Sequence, residues 1–174
     1  MKQLALLLIL TLIGTACASF EPDSESDDNA QVLAAAVLEL ITENHTFGDG
    51  PPPFTEYLIQ SSFDPFAGNP TGETTTEVRQ LTATERSAIE SVVEPFGSVR
   101  WIDDPAEWRT DDLTPTIEGA AIIGVGEPTF DNDEALVPVS LWCGGLCGTW
   151  LTYRLANADQ GWQVTGIEGP IAVS

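Results

Sequence analysis

Hydrophobic and polar residues alternate along three segments near the end of the chain, and this alternation predicts antiparallel strands. Segments 135–142 and 149–155 flank the six-residue run CGGLCG at 143–148, and a third segment covers residues 162–167. Asn, Asp and Gly at 157–161 have the chemistry of a tight turn between the last two segments. We therefore expect a C-terminal β-meander whose first hairpin carries Cys143 and Cys147 at the shoulders of its loop.

Apolar residues at helical spacing predict two helices earlier in the chain. Residues 29–44 place four apolar side chains on one face, with Asp28 or Asn29 able to cap the start (Leu33, Val37, Leu40, Ile41). A second helix is expected to begin at Ala83, because Thr82 and Glu85 stand at the spacing of a capping box. Pro95 and Gly97 end it. His45, the only histidine, is expected on the surface at the end of the first helix.

Shorter apolar segments at 54–62, 99–102 and 117–125 predict further strands, and residues 64–77 read as a mobile loop rich in Gly, Pro and Thr. The glycines at 119, 124 and 126 favour a bulge or the close approach of a helix or another backbone. The predicted fold class is α+β: an antiparallel sheet of four to six strands with a C-terminal meander, and two helices packed on one face.

The loop of the hairpin sets the register of its strands. If Cys143 faces Cys147 across a three-residue loop, Leu141 pairs with Thr149, Val139 with Leu151 and Val137 with Tyr153. This register places the apolar residues and the cysteines on one face, which is expected to face the core. The opposite face, here called the reverse face, carries Trp142 and Trp150 together with Ser140, Pro138 and Thr152.

Two tryptophans on the reverse face imply that it is covered, for example by a helix, or that it forms an exposed aromatic platform. Trp142 and Trp150, with Trp108 from a preceding loop, are therefore the candidate binding surface. Pro138 lacks an N–H, so its strand is expected to lie at an edge or to be bulged there.

The N-terminal pattern predicts export. Lys2, an apolar run at 4–13 and small residues up to Cys17 form a secretory signal, and the run is too short to span a membrane. Residues 13–17 (IGTAC) resemble a bacterial lipobox, in which Cys17 would carry the lipid, although Gly14 stands where an aliphatic residue is usual. Ordinary cleavage after Ala18 is the alternative.

We therefore predict a lipoprotein signal peptide at 1–16, an acidic disordered leash at 17–28 and a single domain at 29–174. The protein is expected on the outer face of a bacterial membrane, held by a lipid on Cys17, and otherwise to be secreted or periplasmic. The formal charge of the chain is −21, and loss of Lys2 lowers it to −22. Such a surface repels nucleic acid and anionic headgroups, and it favours cations, basic proteins or neutral molecules as partners.

Acidic residues cluster around Trp108 and Arg109, at Asp103, Asp104, Glu107, Asp111 and Asp112. The loop lacks the alternate ligands, central Gly and terminal Glu of an EF-type calcium site, so no metal site is predicted. Residues 131–133 (DND) are better explained as a turn.

Cys143 and Cys147 are the cysteines that remain once Cys17 is lipidated, and an exported compartment permits a disulfide between them. A redox-active pair and free thiols are the alternatives, although the spacing is C-x₃-C rather than C-x-x-C. Zinc would need more Cys or His ligands than the chain has.

The segment from Trp142 to Trp150, followed by Tyr153 and residues 161–164 (GWQV), resembles a C-terminal hairpin of exported bacterial lipoproteins of uncharacterised function. Their shared core is Cys-Gly-x-Leu-Cys-Gly, and the likeness covers roughly residues 120–170. The resemblance implies an α+β domain with a C-terminal antiparallel sheet, and it implies no activity.

The expected function is a non-enzymatic envelope protein that binds or scaffolds an envelope protein or a small ligand, without a cofactor. A small enzyme using the acidic loop, or a thiol/disulfide protein, is the alternative. The chain shows no Ser/His or Cys/His pairing and no phosphate-binding glycine loop, so no catalytic residue is predicted.

Overall fold

The computed structural model of the protein describes residues 24–48, 50, 52–72 and 78–174. Two α-helices, a short 3₁₀ helix and seven strands follow one another along this part of the chain: α1 (Ser24–Thr42), β1 (Glu56–Gln60), α2 (Ala83–Val93), β2 (Ser98–Ile102), the 3₁₀ helix (Pro105–Trp108), β3 (Ala120–Val125), β4 (Thr129–Asp131), β5 (Glu134–Gly144), β6 (Cys147–Ala158) and β7 (Gly161–Val173). Neither described α-helix combines the length and apolarity that a membrane crossing requires.

The strands form one mixed sheet in the order β2-β1-β3-β5-β6-β7, with β4 paired to β5. β1 runs parallel to both β2 and β3, and the remaining pairs are antiparallel. The predicted α+β class and C-terminal meander are confirmed, but the prediction of an antiparallel sheet of four to six strands is wrong. Parallel strands need a long crossover, and α2 together with the segment after β2 supplies the two crossovers.

Both helices pack on one face of the sheet. The main core joins the apolar stripes of α1 and α2 to alternate residues of β1, β3, β5 and β6 (Leu33, Val37, Leu40, Ile41, Ile89, Val93, Tyr57, Ile59, Ile123, Val139, Leu141, Leu151, Tyr153, Leu155). All of these side chains are fully or almost fully buried. Burial of this apolar area is the main stabilising contribution to the fold.

The predicted register of the hairpin is confirmed along the strands, where Leu141 pairs with Thr149, Val139 with Leu151 and Val137 with Tyr153. The tip differs from the prediction. A bulge between Trp142 and Gly144 lets Gly144, rather than Cys143, pair with Cys147, so the turn has two residues instead of three. A bulge shifts the pairing by one residue without changing the faces of the residues before it.

Helix α1 begins at Ser24, five residues before the predicted start. Asp28 therefore lies within the helix instead of capping it, and its Oδ1 accepts a hydrogen bond of 2.9 Å from Nε1 of Trp162 on β7. Residues 24–28 of the predicted leash thus belong to the helix. The predicted signal peptide, Cys17 and the rest of the leash lie outside the described residues.

Helix α2 begins at Ala83, and its capping box is confirmed. The backbone N–H of Glu85 donates to Oγ1 of Thr82 at 3.2 Å, and the N–H of Thr82 donates to Oε2 of Glu85 at 2.6 Å. The buried Glu85 carboxylate also accepts two hydrogen bonds from the guanidinium of Arg79, at 2.9 and 3.1 Å. Burial by itself raises the pKa of Glu85, but these hydrogen bonds outweigh it and hold the pKa below its usual value.

The prediction that His45 lies on the surface is wrong. Its side chain is buried, with Nε2 3.0 Å from the carbonyl oxygen of Gly50, and Nδ1 accepts from the N–H of Phe47 at 3.3 Å. These partners assign the proton to Nε2, which donates to Gly50. His45 therefore closes the turn that follows α1.

Pro138 lies in a central strand, so the expectation of an edge is wrong, but the pairing register shifts by one residue beside it. The β3–β5 ladder ends at Val139, and the β4–β5 ladder begins at Leu136. The carbonyl of Pro138 accepts from the N–H of Gly126 at 2.8 Å, in the gap between the two ladders. Pro138 has no N–H to donate in return, and the β3–β5 ladder ends next to it, at Val139.

Candidate functional site

A cleft of about 440 Å³ opens on the reverse face of the sheet. Strands β3, β5 and β6 form its floor, while the segments that follow β1 and β2 form its sides. We call this cavity the reverse-face cleft, and its lining consists of Gln60, Asp64, Pro65, Phe66, Pro70, Pro105, Arg109, Ile122, Ser140, Trp142 and Trp150. The reverse face is thus covered at its margins by loops and by the short 3₁₀ helix, and neither described α-helix lies over it.

The side wall that follows β1 is fixed to the sheet by backbone hydrogen bonds. The N–H of Asp64 donates to the carbonyl of Val125 at 2.7 Å, and the N–H of Gly68 donates to that of Val139 at 3.1 Å. Gly68 has a φ of +80°, and a Cβ there would stand 2.8 Å from Oγ1 of Thr152, so only glycine fits. Residues 64–72 of the predicted mobile loop thus form this side wall, and residues 73–77 lie outside the described residues.

A polar cluster lies on the floor of the cleft. Oδ2 of Asp64 accepts hydrogen bonds from Nε2 of Gln60 at 3.1 Å and from Oγ of Ser140 at 3.3 Å. Oδ1 of the same carboxylate accepts from the N–H of Phe66 at 2.9 Å. Three donors from three chain segments thus hold the carboxylate in one orientation.

Gly124 makes room for this cluster. A Cβ on Gly124 would stand 2.7 Å from Oγ of Ser140 and 2.8 Å from Nε2 of Gln60, and closer still to Oδ2 of Asp64. The glycines of this segment predicted a bulge or an approaching helix or backbone, but at Gly124 three polar side chains approach instead. A side chain at this position would push the three polar groups apart.

The two tryptophans of the hairpin form an aromatic wall beside the polar cluster. Trp142 is 8% exposed and Trp150 is half-buried. The six-membered ring of Trp150 lies over Gly148, where a Cβ would be only 2.6 Å from Cη2. Arg109 stacks on the other tryptophan, with Cζ 4.6 Å from the ring centroid of Trp142. The hairpin thereby presents two indoles to the cavity, and the segment after β2 adds the guanidinium of Arg109.

Trp108 lies near this wall but outside the cleft lining. It packs against the small apolar cluster of the reverse face that includes Leu58, Ile122 and Trp142. Arg100 stacks on its ring at 5.3 Å. Of the three tryptophans predicted as a binding surface, Trp142 and Trp150 line the same cleft. Trp108 does not line it and packs against the apolar cluster that includes Trp142.

The acidic loop has structural roles where its contacts are defined. Asp104 caps the 3₁₀ helix by accepting from the N–H of Ala106 at 2.8 Å, and Asp103 accepts a hydrogen bond from Oγ of Ser61. The other acids of the loop are exposed. Within the described residues, no group of three or more His, Cys, Asp or Glu side chains has a metal-binding arrangement. The β4–β5 turn consists of Asn132 and Asp133 and follows Asp131 at the end of β4, in agreement with the predicted turn, and Asn132 has a φ of 54°.

Cys143 and Cys147 are joined as a disulfide, with their Cα atoms 5.1 Å apart. Cys143 packs against the rim of the main core, on the face opposite to the two tryptophans, as the register predicts. Oγ1 of Thr46 lies 3.7 Å from Sγ of Cys147. Neither cysteine lines the reverse-face cleft, so any thiol chemistry would occur at a different place on the molecule.

Sequence reasoning missed Gln60, Asp64, Arg109 and Ser140 as members of the site. Asp64 and Ser140 are separated by 76 positions in the sequence, and no local pattern relates them. One signal was present. Ser140 shares the reverse-face parity of Trp142 and pairs with Trp150, and a polar side chain buried beside two indoles usually has a hydrogen-bond partner.

Comparison with known proteins gives no matching family model, no similar curated protein and no similar solved structure. The likeness of the hairpin to exported lipoproteins therefore remains an expectation from the sequence.

Proposed function

We propose that this chain is a non-enzymatic binding domain of the bacterial cell envelope, which is held at a membrane by a lipid on Cys17 and binds a small ligand in the reverse-face cleft. The observation that carries the proposal is the cleft itself, where a carboxylate fixed by three donors lies beside two indoles and a guanidinium. Cavities of a few hundred Å³ with aromatic walls and a few convergent polar groups are typical of small-molecule sites.

The chemistry of the cleft favours binding over catalysis. Ser140 is the hydroxyl nearest to the fixed carboxylate, but it donates directly to Asp64 and no histidine of the lining stands between them. A serine nucleophile needs a base that is itself oriented by a third group. His45, the single histidine of the chain, is engaged in the turn after α1. An enzyme based on the acidic loop is the second candidate, and the structural contacts of Asp103 and Asp104 weigh against it.

The place of α1 supports an orientation for the anchored domain. Cys17 precedes Ser24 by seven positions, a distance of about 25 Å at full extension. Asp28 ties the start of α1 to Trp162, beside the β6–β7 turn, whereas the tip of the cysteine hairpin lies at the other end of β6. A lipid on Cys17 therefore holds the β6–β7 end towards the membrane and the hairpin tip away from it.

Mass spectrometry tests the anchor. Protein extracted from membranes is expected to begin at Cys17 and to carry a diacylglyceryl adduct. A soluble product that begins at Ser19 would contradict the lipid anchor and leave only export.

Retention of small molecules tests the binding function. The mature domain, incubated with the small-molecule fraction of an envelope extract and separated from unbound compounds, is expected to retain a compound that mass spectrometry detects. Trp150→Ala should lose this compound, while Trp101→Phe should keep it, because Trp101 packs against the main core on the other face. Equal retention by both variants, or retention by neither the variants nor the parent domain, would overturn the proposed site.

A further inference from the structure

The reverse-face cleft offers hydrogen-bond donors and acceptors together. The guanidinium of Arg109 and the Nε1 groups of Trp142 and Trp150 make no hydrogen bond to any residue that the structure describes, so these lining residues keep unpaired donors. Oε1 of Gln60 is an open acceptor, and the Asp64 carboxylate has lone-pair capacity beyond its three donors. A hydroxyl group, which both donates and accepts, fits either kind of partner.

The walls of the cleft are flat and apolar beside these polar groups. Trp150 is half-buried and rests on Gly148, which holds its ring in a fixed plane. Phe66, Pro65 and Pro70 line the same cavity. A ligand therefore needs an apolar face for the rings and a polar edge for the cluster at Asp64, and a saccharide ring has both, with C–H groups on its faces and hydroxyls on its edge.

Charge favours a neutral ligand. The strongly acidic chain repels anions, and Arg109 is the only cation of the cleft lining. The guanidinium of Arg109 already stacks on Trp142, so it would repel a cationic ligand that approached this ring. Asp64 and Arg109 give the lining one negative and one positive charge, so its own charges balance.

We propose that the ligand class of the reverse-face cleft is a neutral saccharide, which stacks on Trp150 and hydrogen-bonds with Asp64, Gln60 and Arg109. This assignment rests on the proposed binding function and names its ligand. Neutral hydroxyl groups make affinity nearly independent of salt, in contrast to an ion-pairing ligand.

Isothermal titration calorimetry of the mature domain tests the assignment with defined probes: chitotriose, cellotriose and maltotriose as neutral saccharides, choline as a cation and glutamine as a zwitterion. At least one trisaccharide is expected to bind one site per chain, with a Kd that changes less than twofold between low and high salt. Trp150→Ala should weaken binding about tenfold or more, whereas Trp150→Phe should retain most of it.

Arg109→Gln and Arg86→Gln form a matched pair. Each arginine stacks on a tryptophan, but Arg86 lies over Trp101, which packs against the main core. Arg109 is exposed, so its replacement leaves the fold intact, and the variant should bind the trisaccharide several-fold more weakly while Arg86→Gln binds normally.

The outcomes separate this inference from the proposed function. Binding of choline or glutamine that depends on Trp150, without saccharide binding, would overturn the saccharide assignment and leave the binding function standing. If none of the three saccharides gives a measurable heat of binding, the assignment is also overturned. The retention experiment would then decide the binding function by itself. Saccharide binding that Arg109→Gln and Trp150→Ala leave unchanged would place the ligand elsewhere and contradict both.

Discussion

Asp64 is the residue on which the site depends most, because its carboxylate joins three chain segments. Gln60 from the end of β1, the N–H of Phe66 from the side wall and Ser140 from β5 all donate to it. A carboxylate held by several donors is oriented before a ligand arrives, which lowers the entropic cost of binding. The space for this arrangement comes from the absence of a side chain at Gly124.

Gly124→Ala tests that space. The added methyl group overlaps the Asp64 cluster, so we expect the free energy of unfolding to fall by about 1–3 kcal/mol and ligand retention to be lost. Gly166→Ala on β7 is the matched control, because a Cβ there meets no atom within 4 Å. Urea unfolding measures both variants. A Gly124→Ala domain as stable as the parent would show that the cluster is not packed as described.

Two buried tyrosines provide a second comparison at the scale of single residues. The hydroxyl of Tyr57 has no hydrogen-bond partner within the described residues, and burial raises its pKa to about 12. The hydroxyl of Tyr153 donates to Oδ1 of Asn44 at 2.5 Å. Removing an unpaired hydroxyl relieves a desolvation cost, whereas removing a paired one loses its hydrogen bond.

Tyr57→Phe is therefore expected to raise the free energy of unfolding by about 1–2 kcal/mol, and Tyr153→Phe to lower it by about 1 kcal/mol. Thermal and urea unfolding of the two variants measure the difference in sign. Destabilisation by Tyr57→Phe would indicate that its hydroxyl has a partner after all.

At the scale of elements, the start of α2 depends on Glu85 and Arg79. The Glu85 side chain is 2% exposed and that of Arg79 is 38% exposed. Water therefore has little access to the carboxylate but can reach the guanidinium. The pKa of Glu85 is lowered in the folded protein. A lowered pKa stabilises the fold above the unfolded value of about 4.3, and this contribution is lost as the pH falls through the folded pKa.

Glu85→Gln should consequently lower the free energy of unfolding by about 1–3 kcal/mol at pH 7, and the difference from the parent should shrink below about pH 4. Glu94→Gln, which removes an exposed charge at the end of the same helix, should change stability little at either pH. Urea unfolding at several pH values gives the comparison. An effect of Glu85→Gln that does not depend on pH would contradict the role assigned to its charge.

The cysteine hairpin is the second element with a testable contribution. The disulfide closes a loop of a few residues, so replacing both Cys143 and Cys147 by Ala should cost at most about 2 kcal/mol. Because the cysteines and the cleft lie on opposite faces, ligand retention should persist. Unfolding and retention are measured on the same sample. Loss of ligand retention in a variant that still folds would instead favour the thiol/disulfide alternative.

At the scale of the whole molecule, local patterns predicted some features and long-range contacts decided the others. Side-chain parity in the hairpin predicted which residues face the core, because a period of two leaves only two choices. The capping box predicted the first residue of α2. The parallel pairing of β1 with β2 and β3 had no local signature, since it depends on crossovers that pack only in three dimensions.

The same contrast applies to the site. The register placed Trp142 and Trp150 on one face. Asp64 lies 76 positions before Ser140 in the sequence, and only the folded side wall brings its carboxylate into the same cleft. The burial of His45 was likewise not predictable from local sequence, because the hydrogen-bond partners of its ring come from the turn that follows α1. The sequence therefore predicts the floor of the cleft, and only the fold reveals what stands around it.

A ligand that binds on the tryptophan-bearing reverse face should change the NMR signals of the indoles on that face. The five tryptophans at 101, 108, 142, 150 and 162 each give one indole N–H signal in a ¹H–¹⁵N correlation spectrum of the mature domain. Addition of a saturating trisaccharide is predicted to shift the signals of Trp142 and Trp150 and to leave those of Trp101 and Trp162 in place. Shifts confined to Trp101 or Trp162, or a spectrum that no ligand changes, would contradict binding on the reverse face.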